Sequence, residues 1–207
     1  FPFLATPLGL ASIVFLSRRF FPGVQGSGIP QTVAALEQPE RLGRENLLSL
    51  RIAIGKIGLT VCAILSGASV GREGPTVQVG AAIMHTLGGI SRFPQLAMDR
   101  ALILAGGAAG VAAAFNTPLA GIVFAIEELS RSYEQRTNGT ILTAVILAGV
   151  TSFAMLGNYV YFGTVATKVS ADPRNWLAIG VIGIAGGLAG GLFSRLLLAT
   201  SAGLPGR

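Results

Sequence analysis

The chain has few charged residues. Only 12% of its 207 positions are Asp, Glu, Lys or Arg, whereas a soluble domain carries about 25%. About half of the charge that normally solvates a surface is therefore missing, which excludes an ordinary soluble domain. Hydrophobic residues make up 51% of the chain, and its mean hydropathy is +0.66. These values predict an all-α polytopic membrane protein that spans the bilayer several times.

Residues that bind metals or form disulfides are also scarce. Cys62 is the single cysteine and His85 the single histidine, so neither a disulfide framework nor a His/Cys metal site is expected. The sequence offers no cofactor loop and no nucleophile with a neighbouring base, which makes a membrane enzyme the weakest of the functions considered. We therefore expect no enzymatic activity, no metal and no cofactor.

The basic residues outnumber the acidic ones by 15 to 9, but they are scattered along the chain. They stand singly or in pairs between apolar blocks, as in the loops that flank membrane segments. Since no basic run is interleaved with aromatic residues, nucleic acid is not an expected partner.

Apolar blocks and their breaks predict eight helices. These cover residues 3–20, 29–37, 45–67, 74–90, 96–114, 118–131, 139–157 and 175–200. Glycine occupies 29 positions, and glycines four residues apart let two membrane helices approach closely. Such pairs occur at Gly67/Gly71, at Gly106/Gly110 and between Gly183 and Gly191. They predict tight helix packing.

Three segments share a pattern in which small or polar residues precede a proline and an apolar helix. They are Gly26-Ser27-Gly28-Ile29-Pro30, Gly71-Arg72-Glu73-Gly74-Pro75 and Phe115-Asn116-Thr117-Pro118. Proline fits the first turn of a helix, and Ser27, Asn116 or Thr117 can act as its N-cap. Each break predicts a helix N-terminus inside the membrane, whose unpaired N–H groups favour an anion. For any single break, the alternative is a proline kink in an ordinary bundle.

Acidic residues adjoin two of these breaks. Glu73 lies in the second break, and Glu127 and Glu128 end the apolar run after the third. A charge at membrane depth costs about 2.5–3.5 kcal/mol, so such residues are functional candidates. At a helix N-terminus, ionised Glu73 would compete with a substrate anion, and protonated Glu73 would vacate the site. Each acid also has a structural alternative. Glu73 would pair with Arg72, whereas Glu127 and Glu128 would lie at a helix end that faces water.

Three motifs closely resemble the CLC family of chloride channels and proton-coupled chloride transporters. They are G-S-G-I-P at 26–30, G-R-E-G-P at 71–75 and GVAAAFNTPLAGIVFAIEE from Gly110 to Glu128. The motifs occur in the family's order. The resemblance implies a CLC-type fold with broken, tilted half-helices and inverted repeats. Residues 1–170 would form the first repeat and 171–207 the first helix of the second, so we expect a longer polypeptide.

The resemblance also implies roles for individual residues. Ser27, with the backbone N–H groups of Gly28 and Ile29, would bind the central anion, and serine at this position accompanies a preference for chloride. Glu73 would be the glutamate that gates the pathway and transfers protons, and Glu128 the internal proton relay. The motif residues that support these positions are Gly26, Pro30, Gly71, Arg72, Gly74, Pro75, Asn116 and Pro118.

The chain departs from the family pattern in two places. Gln31 and Val33 stand where some bacterial relatives have acids. The segment 191–195 begins like the family's G-x-F-x-P motif but carries Arg195 in place of proline. The family's anion site also uses a tyrosine from the second half of the membrane domain. We do not expect the tyrosines before residue 175 to replace it: Tyr133, Tyr159 and Tyr161. We therefore expect half of the anion site on this chain.

Channels of the CLC family usually lack an acid at the position of Glu128, so the resemblance favours a chloride/proton antiporter over a channel. By resemblance, the protein would work as a homodimer in the plasma (inner) membrane of a prokaryote, with chloride as its bound substrate. A passive chloride channel on the same fold is the first alternative. A structural membrane module that transports nothing is the alternative from another class.

Overall fold

The computed structural model describes residues 2–90, 96–130, 135–157, 163 and 173–202. Every regular element within these ranges is a helix, which confirms the all-α prediction. The elements are α1 Pro2–Phe20, α2 Ile29–Glu37, α3 Arg41–Glu45, α4 Leu50–Leu65, α5 Glu73–Ile90, α6 Leu96–Phe115, α7 Pro118–Phe124, a π-helical turn Ala125–Ser130, α8 Gln135–Leu156 and α9 Pro173–Ala202.

Several of these segments are long and apolar enough to cross a membrane. Within the described ranges they are Arg41–Leu65, Met98–Phe115, Gly139–Leu156 and Arg174–Thr200. The chain divides into two compact units, Phe1–Gly163 and Thr164–Arg207. The second unit contains α9, an uninterrupted helix of 30 residues that includes Arg195. The helical setting predicted for that arginine is therefore confirmed.

α5 and α6 pack through glycine. A methyl group on Gly106 would overlap the carbonyl oxygen of Gly80, and one on Gly110 would overlap that of Thr76. The two backbones therefore approach as closely as in small-residue interfaces between membrane helices, and the packing predicted from Gly106/Gly110 is confirmed. Gly67 does not belong to such a pair, because it lies in the loop between α4 and α5 with φ of +83°.

Two clusters of buried apolar side chains hold the helices that carry the predicted site. The larger cluster joins α5, α6, α8 and the π-helical turn through Val77, Leu104, Ala105, Ala108, Val111, Ala112, Ala125, Leu129, Ile141 and Val145. The second joins α2, α4, α5 and α6 through Ala35, Leu48, Ala53, Ala81, Ala82 and Ile103. Since α2 and α5 share the second cluster, the first and second breaks are held close together.

A buried charge cluster connects α3 with α5 and α6. The Arg44 side chain is almost fully buried, and its guanidinium pairs with the carboxylate of Asp99. It also donates to the carbonyl oxygens of Gln38 and Pro39, both at 2.9 Å. Nδ1 of buried His85 lies 2.9 Å from the other carboxylate oxygen of Asp99. The cation, its countercharge and two carbonyls thus satisfy one another inside the protein.

Two predicted helices are not continuous α-helices. The helix predicted over 45–67 is interrupted at Ser49, whose Oγ accepts a hydrogen bond from the N–H of Ile52 at 3.4 Å and so begins α4. The helix predicted over 118–131 leaves α-helical geometry after Phe124 and continues as the π-helical turn. That turn carries both Glu127 and Glu128. π-Helical turns inside helices occur frequently at functional sites.

Candidate functional site

A cavity of about 560 Å³ lies between α1, α4 and the segments around the N-termini of α2 and α5. It brings residues of the first and second breaks into one wall. The lining residues from the two breaks are Gly26, Ser27, Gly71, Glu73, Gly74 and Pro75. Each of these residues is predicted from the sequence to belong to an anion site or to its supporting motifs.

The two breaks touch through glycine. A methyl group on Gly74 would lie 2.5 Å from the carbonyl oxygen of Ser27, and one on Gly28 would overlap the carbonyl oxygen of Gly74. Gly28 also has φ of +123°, a backbone angle that residues with a Cβ atom rarely adopt. Glycine at both positions therefore lets the two helix N-termini form one junction.

Ser27 lines the cavity but does not cap α2. The residue immediately before α2 is Gly28, which corrects the prediction of Ser27 as the N-cap. Gln31 takes the capping role instead of Ser27, because its Oε1 accepts a hydrogen bond from the N–H of Gly28 at 2.9 Å. The Ser27 hydroxyl has no hydrogen-bond partner among the residues that the structure describes. It is exposed to the cavity and available to a ligand.

The predicted backbone donors are less accessible than Ser27. The N–H of Gly28 is occupied by Gln31, which also donates from its Nε2 to the carbonyl oxygen of Gln25. Gly28, Ile29 and Pro30 do not contribute to the cavity lining. An anion that used the N–H of Gly28 would have to displace the Gln31 side chain.

Glu73 is the first residue of α5, and its half-buried side chain lines the cavity. The Glu73 carboxylate folds back toward the residues before α5. Its Oε2 lies so close to Gly71 that a methyl group on that glycine would overlap it. Thr76 Oγ1 donates to the Glu73 carbonyl oxygen at 2.8 Å within the same turn. The carboxylate therefore lies near the positive end of its own helix, where negative charge is favoured. Its neighbour Arg72 is exposed and absent from the lining.

Glu128 and the third break lie apart from this cavity. Glu127 and Glu128 are exposed in the π-helical turn, and neither lines the cavity. α7 begins at Pro118 with Thr117 as its N-cap residue, as predicted, although without a hydrogen bond from the Thr117 side chain. Asn116 does not cap α7 and instead has φ of +56°. The structure thus joins two of the three predicted breaks.

Lys56 is a residue of this site that the sequence analysis missed. It belongs to α4, lines the cavity and has only 3% of its surface exposed. Its Nζ donates to the carbonyl oxygens of Val24 at 2.8 Å and Gly26 at 2.7 Å. The available signal was a single cation in the apolar run from Ile52 to Leu65, since an ionisable residue inside a membrane helix is a functional candidate.

Part of the predicted site falls outside the described ranges. Tyr133, Tyr159 and Tyr161 are all in segments that the structure does not describe. Within the described segments, no group of three His, Cys, Asp or Glu side chains is arranged to hold a metal ion. The polar side chains in the cavity lining are three hydroxyls, an amide, a carboxylate and two cations, which suit a small ion: Ser17, Ser27, Thr60, Gln25, Glu73, Arg18 and Lys56.

The fold and cavity define a class of protein: an all-α integral membrane protein in which broken helices meet at a cavity that a few polar and charged side chains line, as in ion transporters. Residues 9–207 match the voltage gated chloride channel family. The chain belongs to this family, and its fold is of the CLC type.

Several relatives carry names of known activity. "Chloride channel protein CLC-d" of Arabidopsis thaliana is 34% identical over 90% of this chain and 26% of its own length. "H(+)/Cl(-) exchange transporter ClcA" of Citrobacter koseri and that of Salmonella arizonae are each 35% identical over 90% of this chain and 38% of their own length. The chain thus spans between about a quarter and two fifths of these relatives. Their names describe channels and transporters rather than enzymes.

Proposed function

We propose that this chain forms part of a transporter that exchanges chloride for protons across a membrane. The observation that carries the proposal is the cavity where two helix N-termini meet. The hydroxyl of Ser27, which has no hydrogen-bond partner among the described residues, and the carboxylate of Glu73 both line it. Helix N-termini attract anions through their free N–H groups and the positive end of the helix dipole. A cavity with that electrostatic character suits chloride as the bound substrate, without a cofactor.

Glu73 would act as the gate and as the carrier of the proton. Ionised, its carboxylate competes with chloride for the positive end of α5. Protonated, it loses the charge that holds it there and leaves the site to chloride. The two movements are coupled because the site admits chloride only after Glu73 has taken up a proton and left it. Ser27 would then contact the chloride directly, and the N–H groups of Gly28 and Ile29 would join after Gln31 moves.

Glu128 would pass protons between water and Glu73. Its exposed position in the π-helical turn suits proton uptake from solution. The acid at this position also favours exchange over passive conduction. A passive chloride channel is the second candidate, and the name of the Arabidopsis thaliana relative favours it.

The proposal extends to the setting of the transporter. Residues 1–170 would form the first repeat of the membrane domain, and 171–207 the first helix of the second. The names of the bacterial relatives support exchange of chloride for protons. By the family resemblance, the protein would work in the plasma (inner) membrane of a prokaryote as a homodimer with one pathway in each subunit.

The substitution Glu73→Gln tests the proposal in liposomes that contain the complete polypeptide. Glutamine keeps the shape of the side chain but cannot carry a proton, so we expect chloride flux to persist and proton movement driven by a chloride gradient to stop. Chloride flux and external pH are recorded together. Glu37→Gln is the matched control, because Glu37 is exposed on α2 and does not line the cavity.

The outcomes separate the candidates. Proton movement that continues unchanged in Glu73→Gln overturns the role of Glu73. Chloride flux without proton movement in the unsubstituted protein favours the channel. Absence of chloride flux in the unsubstituted protein favours the structural module.

A further inference from the structure

The side chain of Gln31 occupies the backbone donor that lies next to Ser27. Its Oε1 accepts the hydrogen bond of the Gly28 N–H at 2.9 Å, and this N–H belongs to the peptide group that joins Gly28 to Ser27. Its Nε2 donates to the carbonyl oxygen of Gln25. Because this second bond needs a donor, the amide oxygen must be the atom that faces the N–H. Gln31 therefore places an acceptor where an anion beside Ser27 would find a donor.

Gln31 on α2 and Glu73 on α5 each hold a side-chain oxygen near the N-terminus of their own helix. The two side chains differ in charge. Glu73 loses its negative charge when it takes up a proton, whereas the amide of Gln31 is neutral and leaves the N–H only when a stronger acceptor replaces it. Chloride is such an acceptor, because hydrogen bonds to a charged group are about twice as strong as neutral ones.

The loop before α2 has anchors that do not involve Gln31. Lys56 Nζ donates to the carbonyl oxygen of Gly26 at 2.7 Å, and Nε2 of the buried Gln78 donates to that of Gly23 at 3.2 Å. The carbonyl oxygen that accepts from Gln31 Nε2 is exposed, so water can replace that bond. Displacement of the Gln31 side chain therefore frees the backbone N–H without releasing the loop.

We propose that Gln31 is an internal competitor of chloride, whose amide oxygen lowers the chloride affinity of the site by occupying the N–H of Gly28. The proposal rests on the proposed function, since it assumes that chloride binds beside Ser27. Each chloride that binds there replaces one hydrogen bond at this donor by another. Gln31 thus weakens binding without abolishing it, which suits a transport site, because a transported ion must also be able to leave.

The test measures chloride binding to the complete polypeptide in detergent by isothermal titration calorimetry, with gluconate as the starting anion. Gln31→Met keeps the length of the side chain but removes the amide, so the N–H of Gly28 becomes free for chloride. We expect chloride to bind more tightly by about two- to tenfold, the effect of one hydrogen bond. If Gln31 only capped α2, its loss would loosen the helix N-terminus and weaken chloride binding instead.

Gln38→Met is the matched control, and Gln31→Ala is the second test variant. Gln38 directly follows α2, and it is exposed and absent from the cavity lining. The same change of residue type there should leave chloride affinity unchanged. Gln31→Ala removes the amide without placing a thioether in the half-buried position of Gln31. We expect it to show the same gain in chloride affinity as Gln31→Met.

Tighter chloride binding in Gln31→Met, or in Gln31→Ala if the methionine variant does not fold, supports the proposal. Chloride affinity equal to or lower than that of the unsubstituted protein overturns it, and so does an equal gain in Gln38→Met. Failure of both Gln31 variants to fold, judged by size-exclusion chromatography, also overturns it, because the side chain would then serve the loop alone. Absence of chloride binding in the unsubstituted protein would instead overturn the proposed function.

Discussion

Gly28 holds the junction of the two breaks through its backbone angle and its lack of a side chain. Its φ is +123°, and a methyl group there would overlap the carbonyl oxygen of Gly74. Both conditions exclude a side chain for separate reasons, one conformational and one steric. The geometry around Ser27 and Glu73 therefore depends on a residue that contributes no side chain to the site.

The substitution Gly28→Ala is expected to lower the free energy of unfolding by about 1–3 kcal/mol from backbone strain, and further from the overlap with Gly74. Chloride binding should weaken as well, because α2 and α5 must separate. Denaturant unfolding in detergent and calorimetry measure the two effects.

Gly58→Ala is the control for Gly28→Ala. Gly58 lies in α4, and a methyl group there meets nothing within 4 Å. It should raise stability by about 0.5–1 kcal/mol, as in an ordinary helix interior. Equal behaviour of the two variants would contradict the role assigned to Gly28.

Sequence motifs identified some residues of the site and not others. The resemblance pointed to Ser27 and Glu73 because their types and spacing are particular to the family. Lys56 was missed although a lone cation in an apolar helix is a recognisable signal. The bond from the N–H of Gly28 to Gln31 has no sequence signal, because it depends on the rotamer of one amide side chain.

At the scale of elements, helix starts near proline were the easiest boundaries to predict. α2 and α7 begin at the predicted residues 29 and 118, and α5 begins at 73 instead of 74. Proline has its φ fixed and lacks an N–H, so it is favoured in the first turn. The π-helical turn after Phe124 contains neither proline nor glycine, so nothing in the sequence marks it.

Among the acids, Asp99 is expected to be the one whose substitution most weakens the packing of α3 against α5 and α6. Asp99→Asn leaves the buried guanidinium of Arg44 without its countercharge. Breaking a buried pair in this way typically costs about 3–5 kcal/mol of unfolding free energy. Denaturant unfolding in detergent measures the loss.

The control for Asp99→Asn is Glu45→Gln. Glu45 pairs with Arg41 at 3.1 Å one helical turn away, and both side chains are about half exposed. Loss of an exposed pair should cost less than about 1 kcal/mol. Similar losses in the two variants would contradict the structural role given to the buried cluster.

At the scale of the whole molecule, the cavity depends on packing between segments that are distant in the sequence. The breaks at 26–30 and 71–75 each predicted a helix N-terminus, but only the packing of α2 and α4 on α5 brings them to one cavity. The third break and Glu128 lie elsewhere. Sequence therefore identified the three breaks but not which of them meet.

The central claim is that chloride and proton movements are coupled, and the reversal potential of the complete polypeptide in a planar bilayer tests it most directly. With a fixed chloride gradient, a pH gradient is imposed across the bilayer. An exchanger must respond to both gradients, so we predict that the reversal potential shifts with the pH gradient and that Glu73→Gln abolishes this shift. A reversal potential that follows the chloride gradient alone in the unsubstituted protein would contradict the account and identify a passive channel.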